Sequence, residues 1–518
     1  MANKSLFQSV IGKFIPKTNT VNEAGGTAYS FSPKHALAQY AMTGCFNQTY
    51  YAGAEQQLEK VLSLCQELEA DFIARTAVYC RERGFMKDMP ALLTAILSVK
   101  DRNLLAKIFP RVIDNGKMLR NFVQLIRSGV VGRKSLGTLP KRLVREWFEN
   151  RNEESIFRAS VGQSPSFADI IKMVHPKPKD EKRENFLGYI IGRQYDENKL
   201  PELIQEYELF KQAKSSKMPN VPFEMLTMLS LTKEHWTEIA RNGSWQMTRM
   251  NLNTFARHEV YKTDGISELI ADRLRNPQLI AKAKAFPYQL MNAYLMTGAD
   301  VPQIVREALQ DAMEVATANV PKFEGKVYVC PDVSGSMSSA VTGYRKGSTS
   351  KVRCIDVAAL VAATVLRKNP NAEVLPFEQT VVKSLQLNVR DSVMTNATKL
   401  AAIGGGGTNC SAPLAELNKR KAKGDLVIFV SDNESWVDAK GGRGSATMEE
   451  WQKFKQNNPK ARLVCIDIQP YGTTQAIDRE DILNVGGFSD QVFDVINLFA
   501  NGQSQGEHWI KVIEKVEI

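Results

Sequence analysis

Histidine and cysteine are scarce in this chain of 518 residues, with five and seven copies. No Cys-x-x-Cys pair occurs and the cysteines stand singly, so neither a zinc site nor a disulfide framework is expected. An odd set of lone thiols suits a reducing cytoplasm. No apolar run is long enough to span a bilayer, and the start, Met1-Ala-Asn-Lys-Ser-Leu-Phe7, lacks a secretory apolar region. A cytoplasmic protein with no membrane partner is expected. Also missing are a G-x-x-x-x-G-K-[ST] phosphate loop, a carboxylate cluster of the two-metal nuclease kind and a supported Ser/His/Asp arrangement, which argues against an enzyme. Hydrophobic content of 43% and charged content of 24% are those of an ordinary globular protein, and the length allows two to four domains.

Acidic side chains are locally missing too. Net charge is +11, and residues 1–320 hold 43 Lys and Arg against 34 Asp and Glu. The segment 101–145 alone holds 11 basic and 2 acidic residues, which equals the whole excess of that N-terminal part. Charge so concentrated is the footprint of a polyanion partner, and the bland alternative is a solvated surface. The segment offers Arg120, Arg127, Arg133, Lys134, Lys141, Arg142 and Arg145, interrupted by Gly129, Gly132 and Gly137. Lys141 and Arg145 lie four apart and share one helical face, with Arg133 and Lys134 in the loop before it. Cations spread over helix ends and loops contact successive phosphates, and such binding falls steeply with salt. Lys172 and His175 form a second group ahead of Pro176-Lys-Pro-Lys179, with His175 reading either as a helix C-terminal residue or as an RNA contact.

Residues 1–30 are polar and Gly-rich and read as a loosely held arm. From Ser32, a cap ahead of Pro33, the pattern is helical. Apolar residues recur at three- and four-residue steps in Leu58, Val61, Leu62, Cys65 and Leu68, again around Ile73, Ala77 and Cys80, in Leu92, Leu93, Ile96 and Leu97, and in Leu119, Phe122, Val123 and Ile126. Short helices without strands continue to about residue 315, as a helical-repeat solenoid or an irregular bundle. After a break at Pro321 and Gly325, strands and helices alternate. Val327–Cys330, Leu426–Val430 and Leu463–Ile468 read as buried strands, Ile355–Leu366 as a helix, and Glu373–Phe377 with Val381–Leu387 as a hairpin. That alternation predicts a doubly wound α/β sheet with one antiparallel edge. Gly343–Ser350 and Lys440–Gly444 read as mobile surface loops.

The first buried strand runs straight into Asp332-Val-Ser334-Gly-Ser336. Strands of a parallel sheet deliver their carboxyl ends to the ligand crevice. Asp332, Ser334 and Ser336 turn three oxygens toward one point. Downstream, Gly404-Gly-Gly-Gly407 ends in Thr408, and a second apolar strand ends in Ser431-Asp432. Hard oxygen donors suit a divalent cation, Mg²⁺ before Ca²⁺ or Mn²⁺. This series resembles the metal-ion-dependent adhesion site of von Willebrand factor A domains, which would make Asp332, Ser334, Ser336, Thr408 and Asp432 the ligands. An incoming acidic side chain commonly completes the set in such domains.

A basic helical part followed by an A domain is similar to the TROVE-domain family, the Ro ribonucleoproteins, in a bacterial or phage-borne form. The resemblance rests on Thr49-Tyr-Tyr51 within Gly44–Gly53, Lys141–Phe148, Ile170–Pro178, Phe286-Pro-Tyr288 and Asp332–Met337, in family order. It implies a HEAT-like ring over 31–320 and an A domain over 321–518. The ring's outer basic surface would bind small structured Y-like RNA, and its hole the single-stranded 3′ ends of misfolded RNA. A monomer is implied, acting as an adaptor in RNA decay that tethers an exoribonuclease through the RNA. Near Phe167 the family's motif often carries a polar or basic residue where this chain has Ser166-Phe167-Ala168, and the aromatic fits core packing or base stacking. Two further readings remain: an A-domain protein-interaction module with no primary RNA role, and a hydrolase using Asp332, Asp432 and a metal-bound water.

Overall fold

The computed structural model describes residues 15–44, 46–283, 287–317, 320–344, 352–437, 444–487, 490–502 and 508–518. Most of the two surface loops expected at 343–350 and 440–444, the first fourteen residues of the arm, and Phe286 lie outside them. The described residues fall into two compact units. One holds those up to Leu68 with Arg275–Met296 and Glu307–Lys515; the other holds Glu69–Leu274, Thr297–Arg306 and Val516–Ile518. Compactness thus cuts the chain differently from element type, because two helices that precede Leu68 share a unit with the C-terminal sheet. No helix among the described residues is long and apolar enough to cross a membrane.

The sheet unit is built on five strands in the order β4-β3-β5-β6-β8: Glu373–Val374, Val327–Pro331, Leu426–Ser431, Arg462–Asp467 and Ile482–Gly486. All pairings are parallel, with Val327 opposite Leu426 and Leu426 opposite Arg462. The central strands are apolar on both faces, as a sheet covered on both sides requires. Tyr328, Cys330, Val427, Phe429 and Leu463 point to one face, where Leu414, Trp451 and Phe454 cover them. The helix Cys354–Lys368 packs on β3 and β5.

Two expectations need correction here. The antiparallel edge is absent among the described residues: β4 pairs parallel with β3, and the expected hairpin shrinks to one bridge between Phe377 and Val381. Residues 383–387 are all exposed or half-exposed, so no buried face rewards a further strand. Conversely, the described end of the arm is held in place. Thr20–Val21 (β1) and Thr27–Ser30 (β2) form an antiparallel pair closed at Asn22–Gly26, and β2 pairs onward with Thr473–Thr474 (β7). The glycines that suggested looseness make this turn, with Gly25 at φ 84°, and Tyr29 is buried.

The other unit is helical throughout its named elements. Helix Gly116–Ser128 starts where the Asn115 side chain accepts the Met118 N–H at 3.1 Å and stops at Gly129 in the left-handed region. Helix Thr138–Glu149 buries Leu143, Val144, Trp147 and Phe148. Helix Phe167–Val174 opens on a reciprocal cap between Ser166 and Asp169. Rings of Trp147, Phe148 and Phe167 meet edge to face at 5.1–5.7 Å. Phe167 is therefore a core residue, and burying such a ring stabilises by about 1.5–3 kcal/mol.

Candidate functional site

From β3 the chain turns to β4 on one side and afterwards to β5 on the other. The strand order reverses between β3 and β5, the position where doubly wound sheets open a crevice at their carboxyl ends. Asp332 follows β3 and Asp432 follows β5, so the two aspartates emerge side by side. The Asp332 carboxylate accepts the Ser334 N–H at 2.9 Å and the Ser431 hydroxyl at 2.6 Å. Thr408 donates to the Ser334 hydroxyl at 2.9 Å, which lies 3.4 Å from that of Ser336. Ser336 also reaches the Asp432 carboxylate. All five residues expected as ligands converge, and they are 0–4% exposed.

The loop that carries Thr408 explains three of its four glycines. Gly404, Gly405 and Gly406 have φ of 42°, 128° and 73° in succession, a path that side chains resist. That path lets the Gly405 N–H reach the Val333 carbonyl at 3.1 Å and the Gly406 carbonyl accept the Gly335 N–H at 3.0 Å. The two ligand-bearing loops are thereby tied to each other.

Burial pushes the Asp332 carboxyl up to about 7, helped by the Asp432 charge and opposed by the bonds from Ser334 and Ser431. Asp432 is also raised, again chiefly by burial. Two carboxyls with hydroxyl neighbours, shut from water and repelling each other, are costly as anions unless a cation joins them. The donor set is all hard oxygen and one short of six, so these residues fit a divalent cation of the Mg²⁺ type.

Several residues around this centre escaped the sequence reading. Ser431 anchors Asp332. Glu434 is fully buried, its Ala24 N–H bond at 3.1 Å leaves the second carboxylate oxygen without a described partner, and burial followed by the Asp432 charge raises its carboxyl well above the usual range. Asp467 ends β6 as Asp332 ends β3, and takes bonds from Gln39 at 2.8 Å and from Asn433. The run Ser431-Asp-Asn-Glu434 and the third strand ending in aspartate were the available signals. Tyr51 carried none: burial, followed by the Asp432 charge, raises its phenol.

A second candidate lies in the helical unit. Arg127, Lys134, Lys141, Arg142 and Arg145 line one groove of about 740 Å³ with Leu136 and Met173. No carboxylate lines it. Arg142 pairs with Glu146 at 3.5 Å; the other four cations have no ion-pair partner within 4 Å among the described residues. Arg145 also donates to the Val174 carbonyl at 3.1 Å, and Arg127 to the Met173 sulfur. The remaining expected contacts stand outside this lining. Arg120 donates to the Ala159 carbonyl and sits over Phe167, and Arg133 donates to the carbonyls of Ser98 and Ser135. Both guanidinium groups brace the fold. Lys172 is exposed beyond the groove, and His175 is the exposed left-handed cap of its helix.

Residues 326–500 match the family model described as the Ro60 vWA domain. Over 93% of the chain and 95% of the relative, the sequence is 23% identical to "RNA-binding protein RO60" of Deinococcus radiodurans. A protein of the same name from Caenorhabditis elegans is 22% identical over 45% of this chain and 36% of its own length. The crystal structure of the Deinococcus radiodurans RO (RSR) protein is similar in fold, with a TM-score of 0.61 and 21% identity over 91% of this chain and all of that one.

Proposed function

We propose that this chain, a Ro60-type A domain joined to helices within the fold of a Ro protein, is an RNA-binding adaptor and not a catalyst. The groove of Arg127, Lys134, Lys141, Arg142 and Arg145 carries the reading, because five cations face one concave surface with one carboxylate, Glu146, close enough to pair. Potential of one sign in a concave wall is focused, which favours a phosphate backbone. Guanidinium and ammonium groups at this spacing position a duplex or folded RNA without reading its bases. Small structured non-coding RNA of the Y-like class is the ligand that the family resemblance suggests. Single-stranded 3′ ends of misfolded RNA, and an exoribonuclease tethered through the bound RNA, extend the reading in the same way.

The cation centre serves the A domain in this reading. Asp332, Ser334, Ser336, Thr408 and Asp432 would hold Mg²⁺, which supplies the positive charge that two buried carboxylates call for. With hydroxyls making up most of the donors, the arrangement is poor for activating water.

Lys134→Glu with Lys141→Glu tests the groove, because neither side chain makes a hydrogen bond or ion pair among the described residues and the fold does not depend on them. Affinity for a structured RNA, followed by filter binding, is expected to fall roughly 10- to 100-fold at moderate salt, since each lost phosphate contact returns counterions. Unchanged affinity in a folded double variant would place the RNA elsewhere. Incubation with end-labelled RNA and Mg²⁺ or Mn²⁺ tests the non-catalytic half of the reading: cleavage that Asp332→Ala abolishes would make the protein a nuclease.

A further inference from the structure

The cations of the groove come from three stretches of chain that converge, rather than from one helix alone. Arg127 stands in the last turn of helix Gly116–Ser128, Lys134 in the loop after it, and Lys141, Arg142 and Arg145 on helix Thr138–Glu149. Three of them are set in place by contacts that leave their charge unanswered. Arg127 donates to the Met173 sulfur, and Arg145 donates through Nε to the Val174 carbonyl at 3.1 Å. The Lys134 stem lies along Gly129, where a β-carbon would meet its Cγ and Cε at 3.2 and 3.1 Å. Lys141 and Arg145 are half-buried, and a cation partly withdrawn from water is costly until an anion joins it. Arg142 has a carboxylate to pair with, and that partner, Glu146, lies outside the groove lining.

The size of the groove decides which anion fits. About 740 Å³ is the volume of a small-molecule pocket, so a duplex meets only the rim, whereas one chain end can enter. An internal strand carries its charge one phosphate per nucleotide and would place few of them among these side chains. A terminal triphosphate brings three linked phosphates to one place, and guanidinium forks match phosphate oxygens two at a time. Leu136 and Met173 add an apolar wall against which the first base can lie. We propose that the groove takes the 5′-triphosphate end of an RNA, the group that marks a primary transcript, in preference to internal backbone. The rest of a folded RNA then lies across the rim. This rests on the reading of the groove as the RNA site.

One structured RNA prepared with a 5′-triphosphate, a 5′-monophosphate or a 5′-hydroxyl tests it, with the full-length protein and filter binding at moderate salt. The triphosphate form is expected to bind about tenfold or more tightly than the hydroxyl form, with the monophosphate between them, since each added phosphate charge meets a cation. Lys134→Glu with Lys141→Glu should remove that advantage as well as weaken all three forms. ATP, offered as competitor, carries the same triphosphate and should displace the triphosphate RNA only at much higher concentration, because it makes no contacts at the rim. Equal affinity for the three forms, or an advantage that the double variant keeps, would overturn the inference, while general weakening in that variant would still uphold RNA binding at the groove. ATP competing as well as the triphosphate RNA itself would make the ligand a free nucleotide and overturn the inference too. Failure of the double variant to weaken any form would overturn the groove as the RNA site, and this inference with it.

Discussion

Gly405 has the least room for substitution in conformation and the most in space. Its φ is 128°, yet a β-carbon there would meet nothing within 4 Å. Gly405→Ala therefore isolates backbone strain of about 1–3 kcal/mol. The strain falls on the loop that brings Thr408 to Ser334, so Mn²⁺ affinity should drop about tenfold or more in a titration while RNA affinity holds. A second residue-scale prediction concerns the helical unit. Arg183, 3% exposed in its side chain, bonds Glu153 at 3.0 Å and the carbonyls of Phe148 and Arg151. Glu153→Ala strands that buried charge and should cost about 3 kcal/mol in urea unfolding, whereas Glu153→Gln, which keeps an acceptor, should cost less. Residues such as Asp332 and Asp432 were legible because a charge directly after an apolar run conflicts with burial unless something answers it. Tyr51 was not, because Asp432, whose charge it feels, lies 381 positions away in the chain and only folding brings them near.

Helix Thr138–Glu149 shows how far a charge run can be read as an element. Its period placed Lys141 and Arg145 on one face, and Trp147 with Phe148 on the other holds that face outward. The same run did not reveal that Arg120 and Arg133 turn inward to carbonyls, because a guanidinium satisfies a buried acceptor as readily as it meets a phosphate. Lys141→Gln and Arg145→Gln should each reduce the slope of log affinity against log salt by about one, and Lys172→Gln should leave it unchanged. Fluorescence anisotropy over a salt series checks this, and a slope altered by Lys172→Gln alone would move the binding surface beyond the groove. Strand reading worked where both faces were buried, in β3, β5 and β6. It failed at Val381–Leu387, where apolar residues line a half-exposed surface, and at β8, whose Asn484 and Gly486 interrupt the apolar run.

At the scale of the whole molecule, the cation and the RNA are assigned to different compact units, so their thermodynamic linkages should be separable. A ligand present at 100 times its dissociation constant stabilises the unit it binds by about 2.7 kcal/mol. For a unit of roughly 200 residues, the size of the helical one, that shifts a melting midpoint by about 5–10 °C, and the larger sheet unit shifts by less. Scanning calorimetry of the full-length protein should show Mg²⁺ raising one transition and structured RNA raising another. Asp332→Ala should erase the first shift and preserve the second, and Lys134→Glu with Lys141→Glu should do the reverse. A single transition that both ligands raise equally, and that either set of substitutions lowers for both, would mean that the two sites are energetically one. Binding energy gained at the groove would then be felt at Asp332, and the separation of RNA grip from cation site would have to be abandoned.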